Sequence, residues 1–191
     1  MPKLYTKTGD NGHTSLYDGN RISKTEIFFD VVGDLDELSS NIGMLCFLAN
    51  ENGFLRIIQA KLLNIGSNIA VVDEKKKNRV KQLTNVDVKS LEEYIDLYES
   101  KNPKLTEFIL PGTNTADSQA HICRSITRRL ERQMWKLNKS DYIVEGKTKI
   151  DMKNVKVDIV ILKFINRLSD FFFSYARYLS YGEIKLSEIK F

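Results

Sequence analysis

The sequence predicts an all-α protein, a bundle of five helices. Only three prolines interrupt its 191 residues. Over long stretches apolar residues recur three and four positions apart, the period of a helix that buries one face. The segments joining these stretches are mostly short, which favours a bundle of neighbouring helices. With 42% hydrophobic residues, the chain can build one compact domain over 1–191 around a single core.

Residues 1–24 stand apart. Their segment 6–15 is rich in glycine and hydroxyls and has no period, so it reads as an ordered loop or a disordered tail. The first helix is predicted over residues 24–50, with Val31, Leu35, Leu38, Ile42 and Leu45 as its core stripe. Asn52-Gly53 ends it. A second helix follows over 54–72, burying Leu55, Ile58, Leu62, Ile65 and Ile69. The charged run 73–79 reads as a solvated loop. A third helix covers 88–100 with Leu91, Tyr94, Ile95 and Tyr98 inward, and Phe108-Ile-Leu-Pro-Gly112 closes this half with a turn.

The fourth helix spans 114–138 on the line Cys123, Ile126, Leu130, Met134 and Leu137. Residues 139–155 are polar and charged and are expected to form a long mobile loop. The fifth helix covers 158–181, with Ile161, Ile165, Leu168, Phe172, Tyr175 and Leu179 inward.

Composition excludes several classes. A formal net charge of +4 suits a polyanionic ligand but is too weak to argue for nucleic acid. The two cysteines, Cys46 and Cys123, have no zinc or disulfide spacing and point to a reducing compartment. The apolar run around Ile159 and Leu162 is far too short to span a bilayer, so no membrane role is expected. No signal segment opens the chain, although a trimmed transit peptide would leave no trace.

The chemistry concentrates in four places. Arg124, Arg128 and Arg132 recur every fourth position and form one cationic ridge on the fourth helix, with Arg129 about 100° around it. Guanidinium forks bind phosphate oxygens bidentately, so the ridge reads as a polyphosphate clamp, with Glu131 able to hold Arg128. A solvated basic face is the alternative.

The loop bearing Thr6, Lys7, Thr8, Gly9, Asp10, Thr14 and Ser15 offers unhindered amides at Gly9 and Gly12, suited to wrapping phosphates; a frayed polar terminus is the alternative. Asp34, Asp36 and Glu37 crowd the first helix, either for acid–base work or to complement its dipole. Asn166, Arg167 and Asp170 lie on the fifth helix, where Asn166 binds a ligand or completes a buried polar network.

Two arrangements are decoys. Gly19-Asn-Arg-Ile-Ser-Lys24-Thr25 approximates a phosphate-binding P-loop, but Ser23 stands where the second glycine belongs and no Val/Ile-rich strand precedes it. Lys24 can still reach a phosphate as a point charge. His121 and Cys123 project about 200° apart on a helix and cannot share a metal, so no metal site is expected.

These pieces, in this order, resemble the PduO-type ATP:cob(I)alamin adenosyltransferases. The matching stretches are residues 6–15, Arg21 to Lys24, Val32-Gly-Asp-Leu-Asp-Glu-Leu-Ser39, Phe108-Ile-Leu-Pro-Gly112, His121-Ile-Cys-Arg124, Arg128-Arg-Leu-Glu-Arg132 and Asn166-Arg-Leu-Ser-Asp170. Together they cover nearly the whole chain except 139–157.

The resemblance implies a homotrimer of five-helix bundles with a site at each subunit interface. It implies that ATP, with Mg²⁺ on its phosphates, is wrapped by the 6–15 loop and Lys24 and completed by Arg128, Arg129, Glu131, Arg132 and Asn166. Asp36 would pair with Arg124 across the interface. Phe108 would lie beneath the corrin ring of cobalamin, displacing the lower axial ligand. Implied partners are a reductase that supplies electrons and a cobalamin-dependent mutase that takes the product. The implied compartment is bacterial cytoplasm, or the mitochondrial matrix after removal of a transit peptide.

Two departures stand out. Thr113 occupies the place of the family's usual second glycine after Pro111, and the 139–157 insertion is longer than the family commonly carries. The competing class is a non-catalytic helical module that binds RNA or another polyanion. Base-stacking aromatics are not interleaved with the arginines, apart from Trp135, which weakens it.

Overall fold

A computed structural model describes residues 5, 7–15, 21–71, 80–139, 142–145, 148–151 and 156–189. Five long helices dominate: α1 (Ile27–Leu48), α2 (Phe54–Ile69), α3 (Asn85–Glu99), α4 (Thr115–Lys139) and α5 (Ile159–Leu179). α1 packs against α2 and α4, α4 against α5, and α5 against α3. Side chains of α2 and α3 close the ring: Phe54 stacks on Tyr94 at 3.7 Å between centroids, and Lys61 pairs with Asp87.

The core is where the apolar period places it. The predicted stripes of α1, α2 and α4 are all buried. On α3, Leu91 and Tyr98 are buried while Tyr94 and Ile95 are partly covered, and on α5 Leu179 is partly covered. Phe164, Phe171 and Phe172 are almost wholly enclosed, and each such side chain contributes about 1.5–3 kcal/mol by leaving water. Both cysteines are free thiols within this core, and burial pushes the Cys123 thiol up to about 12.

The helix ends follow local chemistry. α1 stops where Asn50 adopts a left-handed φ of 50°; the Glu51 amide then bonds back to the Cys46 carbonyl at 3.0 Å. α3 opens with a capping box between Thr84 and Asp87. Asp158 caps α5 by accepting the Val160 amide at 2.6 Å.

Three small antiparallel sheets depart from the all-helical expectation. β1 (His13–Ser15) pairs with β2 (Arg21–Ser23), with Thr14 opposite Ile22. β3 (Ile109–Leu110) pairs with β6 (Ile184–Lys185), and a short 3₁₀ turn (Leu186–Glu188) follows.

The third sheet corrects the expectation of a mobile loop after α4. β4 (Tyr142–Glu145) and β5 (Thr148–Asp151) form a hairpin with Ile143 opposite Ile150. The signal is visible in retrospect: Tyr-Ile-Val-Glu and Thr-Lys-Ile-Asp are strand-forming runs separated by Gly146-Lys147, a two-residue hairpin signature. Charge in the surrounding segment obscured it. β4 runs beside β2. Among the described residues no helix is long and apolar enough to cross a membrane.

Candidate active site

Residues 7–15 of the amino-terminal loop are folded rather than frayed. Lys7 and Gly12 take left-handed φ values of 60° and 77°, and the Lys24 amide bonds to the Gly12 carbonyl at 2.8 Å. Arg21 staples the loop from β2, donating to the Thr8 carbonyl at 2.9 Å and the His13 carbonyl at 3.3 Å. The Lys24 ammonium leans on Gly9, where an added Cβ would stand 3.0 Å from Nζ. Thus Gly9 gives the lysine room. Lys7, Thr8, Asp10 and Ser15 are exposed and Thr14 is partly covered, while Thr6 lies outside the described residues.

The arginine ridge forms as its spacing requires. Arg128 and Arg132 are exposed one turn apart, and Arg132 Nη1 donates to the Arg128 carbonyl at 3.1 Å. Arg124 is half-buried, and its Nε has no hydrogen-bond partner among the described residues. Burial, then the charge of Arg128, lowers the pKa of that guanidinium. An unanswered cation of this kind costs energy until an anion meets it.

Arg129 faces elsewhere. It turns toward α1, where Nε donates to Asp34 Oδ1 at 3.0 Å and Nη2 meets Glu37. Burial raises the Asp34 carboxyl, and the Arg129 hydrogen bond and charge oppose that shift. Within one chain Arg129 is therefore a tie between α1 and α4 rather than a member of the ridge; its position about 100° around the helix is the reason. Glu131 likewise does not hold Arg128. Its Oε1 accepts the Asn166 side-chain amide at 3.1 Å, joining two expected site residues across α4 and α5.

Two clefts open on the described surface, the second of them on this face. One, of about 1060 Å³ between α1 and α2, includes Asp36, Ser39, Gly66 and Lys81. The other, of about 680 Å³ beside α4, includes Glu37, Gly112, His121, Arg124 and Arg132. Asp36 and Arg124 therefore line different clefts of the same subunit. His121, rejected from sequence as a metal ligand, is buried against the second cleft; burial and then the charge of Arg124 lower its pKa.

Phe108 stands 83% exposed just before β3. Behind it Thr113 accounts for its own departure from glycine. Its amide donates to Asp117 at 2.9 Å, and its hydroxyl also donates to that carboxylate while accepting the Tyr181 amide at 3.1 Å. Burial pushes Asp117 up, yet the Thr113 and Ser118 hydrogen bonds outweigh it and leave the carboxyl below its ordinary range. Among the described residues no three His, Cys, Asp or Glu side chains converge to hold a metal ion.

The fold and these groups define a helical-bundle protein with a glycine-bearing loop and a cationic helix ridge suited to a polyphosphate, and an exposed aromatic just before a separate short strand. The chain belongs to the cobalamin adenosyltransferase family, whose model matches residues 4–179. It is 41% identical over 182 residues to the corrinoid adenosyltransferase of Bacillus subtilis strain 168, covering 92% of this chain and 85% of that one. It is 37% identical over 191 residues to human corrinoid adenosyltransferase MMAB, covering 96% and 71%. Its fold matches a substituted PduO-type ATP:corrinoid adenosyltransferase from Lactobacillus reuteri, solved with cobalamin and ATP, at a TM-score of 0.80 and 31% identity; 96% of this chain and 98% of that one are covered.

Proposed function

We propose that this chain transfers the 5′-deoxyadenosyl group of ATP to the cobalt of a Co(I) corrinoid, giving adenosylcobalamin and triphosphate. The cobalt lone pair forms the Co–C5′ bond, and the C5′–O bond breaks with its electrons leaving on triphosphate. Cobalt rises formally from Co(I) to Co(III). The nucleophile is the substrate's own metal, so the protein supplies orientation and charge rather than a nucleophilic side chain.

The observation that carries this reading is the exposed pair Arg128 and Arg132, continuous with the unsatisfied Arg124 on one face of α4. Prearranged cations of this kind stabilise charge that grows on a leaving triphosphate. Lys24, beside Gly9, adds a fourth cation from the amino-terminal loop, with Thr6, Lys7, Thr8, Gly9, Asp10, Thr14 and Ser15 wrapping the phosphates. Asn166, held by Glu131, faces the nucleotide. Arg129 joins it only by leaving Asp34 and Glu37. Mg²⁺ arrives on the triphosphate, bound by phosphate oxygens.

Phe108 lies under the corrin and replaces a lower axial ligand with a hydrocarbon face, easing reduction of Co(II). The sites complete themselves between subunits of a homotrimer, where Asp36 of one chain answers the unpaired Arg124 of the next. A reductase delivers the electron and a cobalamin-dependent mutase takes the product, in bacterial cytoplasm or a mitochondrial matrix.

An anaerobic assay with ATP and chemically reduced cobalamin tests this. The corrinoid spectrum should convert from Co(I) to the adenosylated form with release of triphosphate. No conversion by folded protein would reject it.

A further inference from the structure

Phe108 projects with 83% of its surface free, so side-chain packing does little to hold it. Its place is set by its backbone. That backbone belongs to a platform of two very short strands, β3 and β6, supplemented by the Leu186 amide on the Phe108 carbonyl at 3.0 Å and the Ser187 amide on the Glu107 carboxylate at 3.2 Å. Two paired residues on each side are too few to be stable alone. Something outside the strands must fix them.

Arg177 on α5 does so. Its side chain is 1% exposed, and its nitrogens reach three different segments. Nη1 grips Glu99 at the end of α3 at 2.8 and 3.1 Å. Nη2 donates to the carbonyl of Pro103, five residues before Phe108. Nε donates to Glu183 at 2.6 Å, one residue before β6, and that carboxylate is itself nearly buried. One enclosed guanidinium thus anchors the approach to both strands of the platform. Thr113 and Asn114 pin the same exit, taking the Tyr181 amide and donating to the Leu179 carbonyl at 2.7 Å.

We propose that Arg177 and Glu183 are positioning residues for Phe108, holding the β3–β6 platform so that the aromatic ring meets the corrin at a fixed height. This rests on the reading of Phe108 as the residue beneath the corrin. The buried ion pair sets geometry rather than chemistry, and a small displacement at a reacting centre costs far more rate than stability.

The test uses full-length Glu183→Ala and Glu183→Gln, with Phe108→Ala as reference. In Glu183→Ala, amides of Leu110 and Leu186 should exchange with deuterium about tenfold faster while those of α4 keep wild-type rates. Adenosylation starting from Co(II) should fall about tenfold, and from pre-reduced Co(I) by less than about threefold. Glu183→Gln retains an acceptor for Arg177 and should recover part of the loss. A chain ending at Glu183 keeps the ion pair but lacks β6; it should reproduce the Co(II) defect even if Glu183→Ala folds poorly.

Unchanged exchange at Leu110 and Leu186 in a folded Glu183→Ala protein overturns the inference, as do equal losses on both routes. Should exchange quicken while Phe108→Ala shows no difference between routes, the positioning stands and it is the corrin reading that fails.

Discussion

Arg129 of α4 lies 3.0 Å from Asp34 of α1, and it is drawn off the face that carries Arg124, Arg128 and Arg132. Four arginines close in sequence thus divide into three that form a ridge and one that joins two helices. That division gives neighbouring residues opposite mutational signatures.

Arg128→Ala should cut turnover by at least about tenfold with melting temperature unchanged, since the side chain is exposed and acts on developing charge. Steady-state assay beside thermal unfolding checks both halves. A folded variant with full activity would reject the clamp.

Arg129→Ala should instead lower stability. It leaves Asp34, whose side chain is 12% exposed, without its cation, a loss of about 1–2 kcal/mol given the partial solvent screening. For a chain of this size that is a fall of roughly 2–8 °C in melting temperature.

Phe108→Ala should impair reaction from Co(II) more than reaction from chemically reduced Co(I). Parallel assays with the two starting states separate the routes. Equal effects would count against a role in removing the lower ligand.

Assembly gives a further check. Light scattering should return the mass of three subunits, and Asp36→Ala should weaken that assembly because Arg124 loses its expected partner. An active monomer would overturn the inter-subunit site.

Acid should unfold the protein through identifiable carboxylates. Burial pushes Asp87, Glu99 and Asp117 up, but hydrogen bonds and cations outweigh it and leave all three below their ordinary range. The unfolded chain therefore binds protons more readily. Their stabilisation is complete above the ordinary carboxylate range and disappears as pH falls through the lower folded values. Urea midpoints should drop from pH 6 to about pH 3, and Asp117→Asn should flatten that slope.

The helices were legible because one period repeats over many residues: the stripe Val31, Leu35, Leu38, Ile42, Leu45 is buried at every position. The ridge was legible for the same reason. β3 and β6 were not, since two-residue strands carry no period and their partners lie more than seventy positions apart. Arg177 was missed altogether: its contacts with Glu99 and Pro103 depend on how α3 and α5 pack, which local pattern cannot reveal. The ion pair of Arg129 with Asp34 was hidden likewise. The hairpin after α4 did carry a signal, in Tyr142–Glu145 and Thr148–Asp151, but charged neighbours outweighed it.

Cys46 and Cys123 are the only two sulfurs in the chain able to form a disulfide, and both are thiols sealed in the core. Making low-valent cobalt calls for strong reductants, which would cleave a cystine crosslink and loosen any scaffold that relied on one. This scaffold has no such bond to surrender, so its integrity is independent of the electron pressure its chemistry demands.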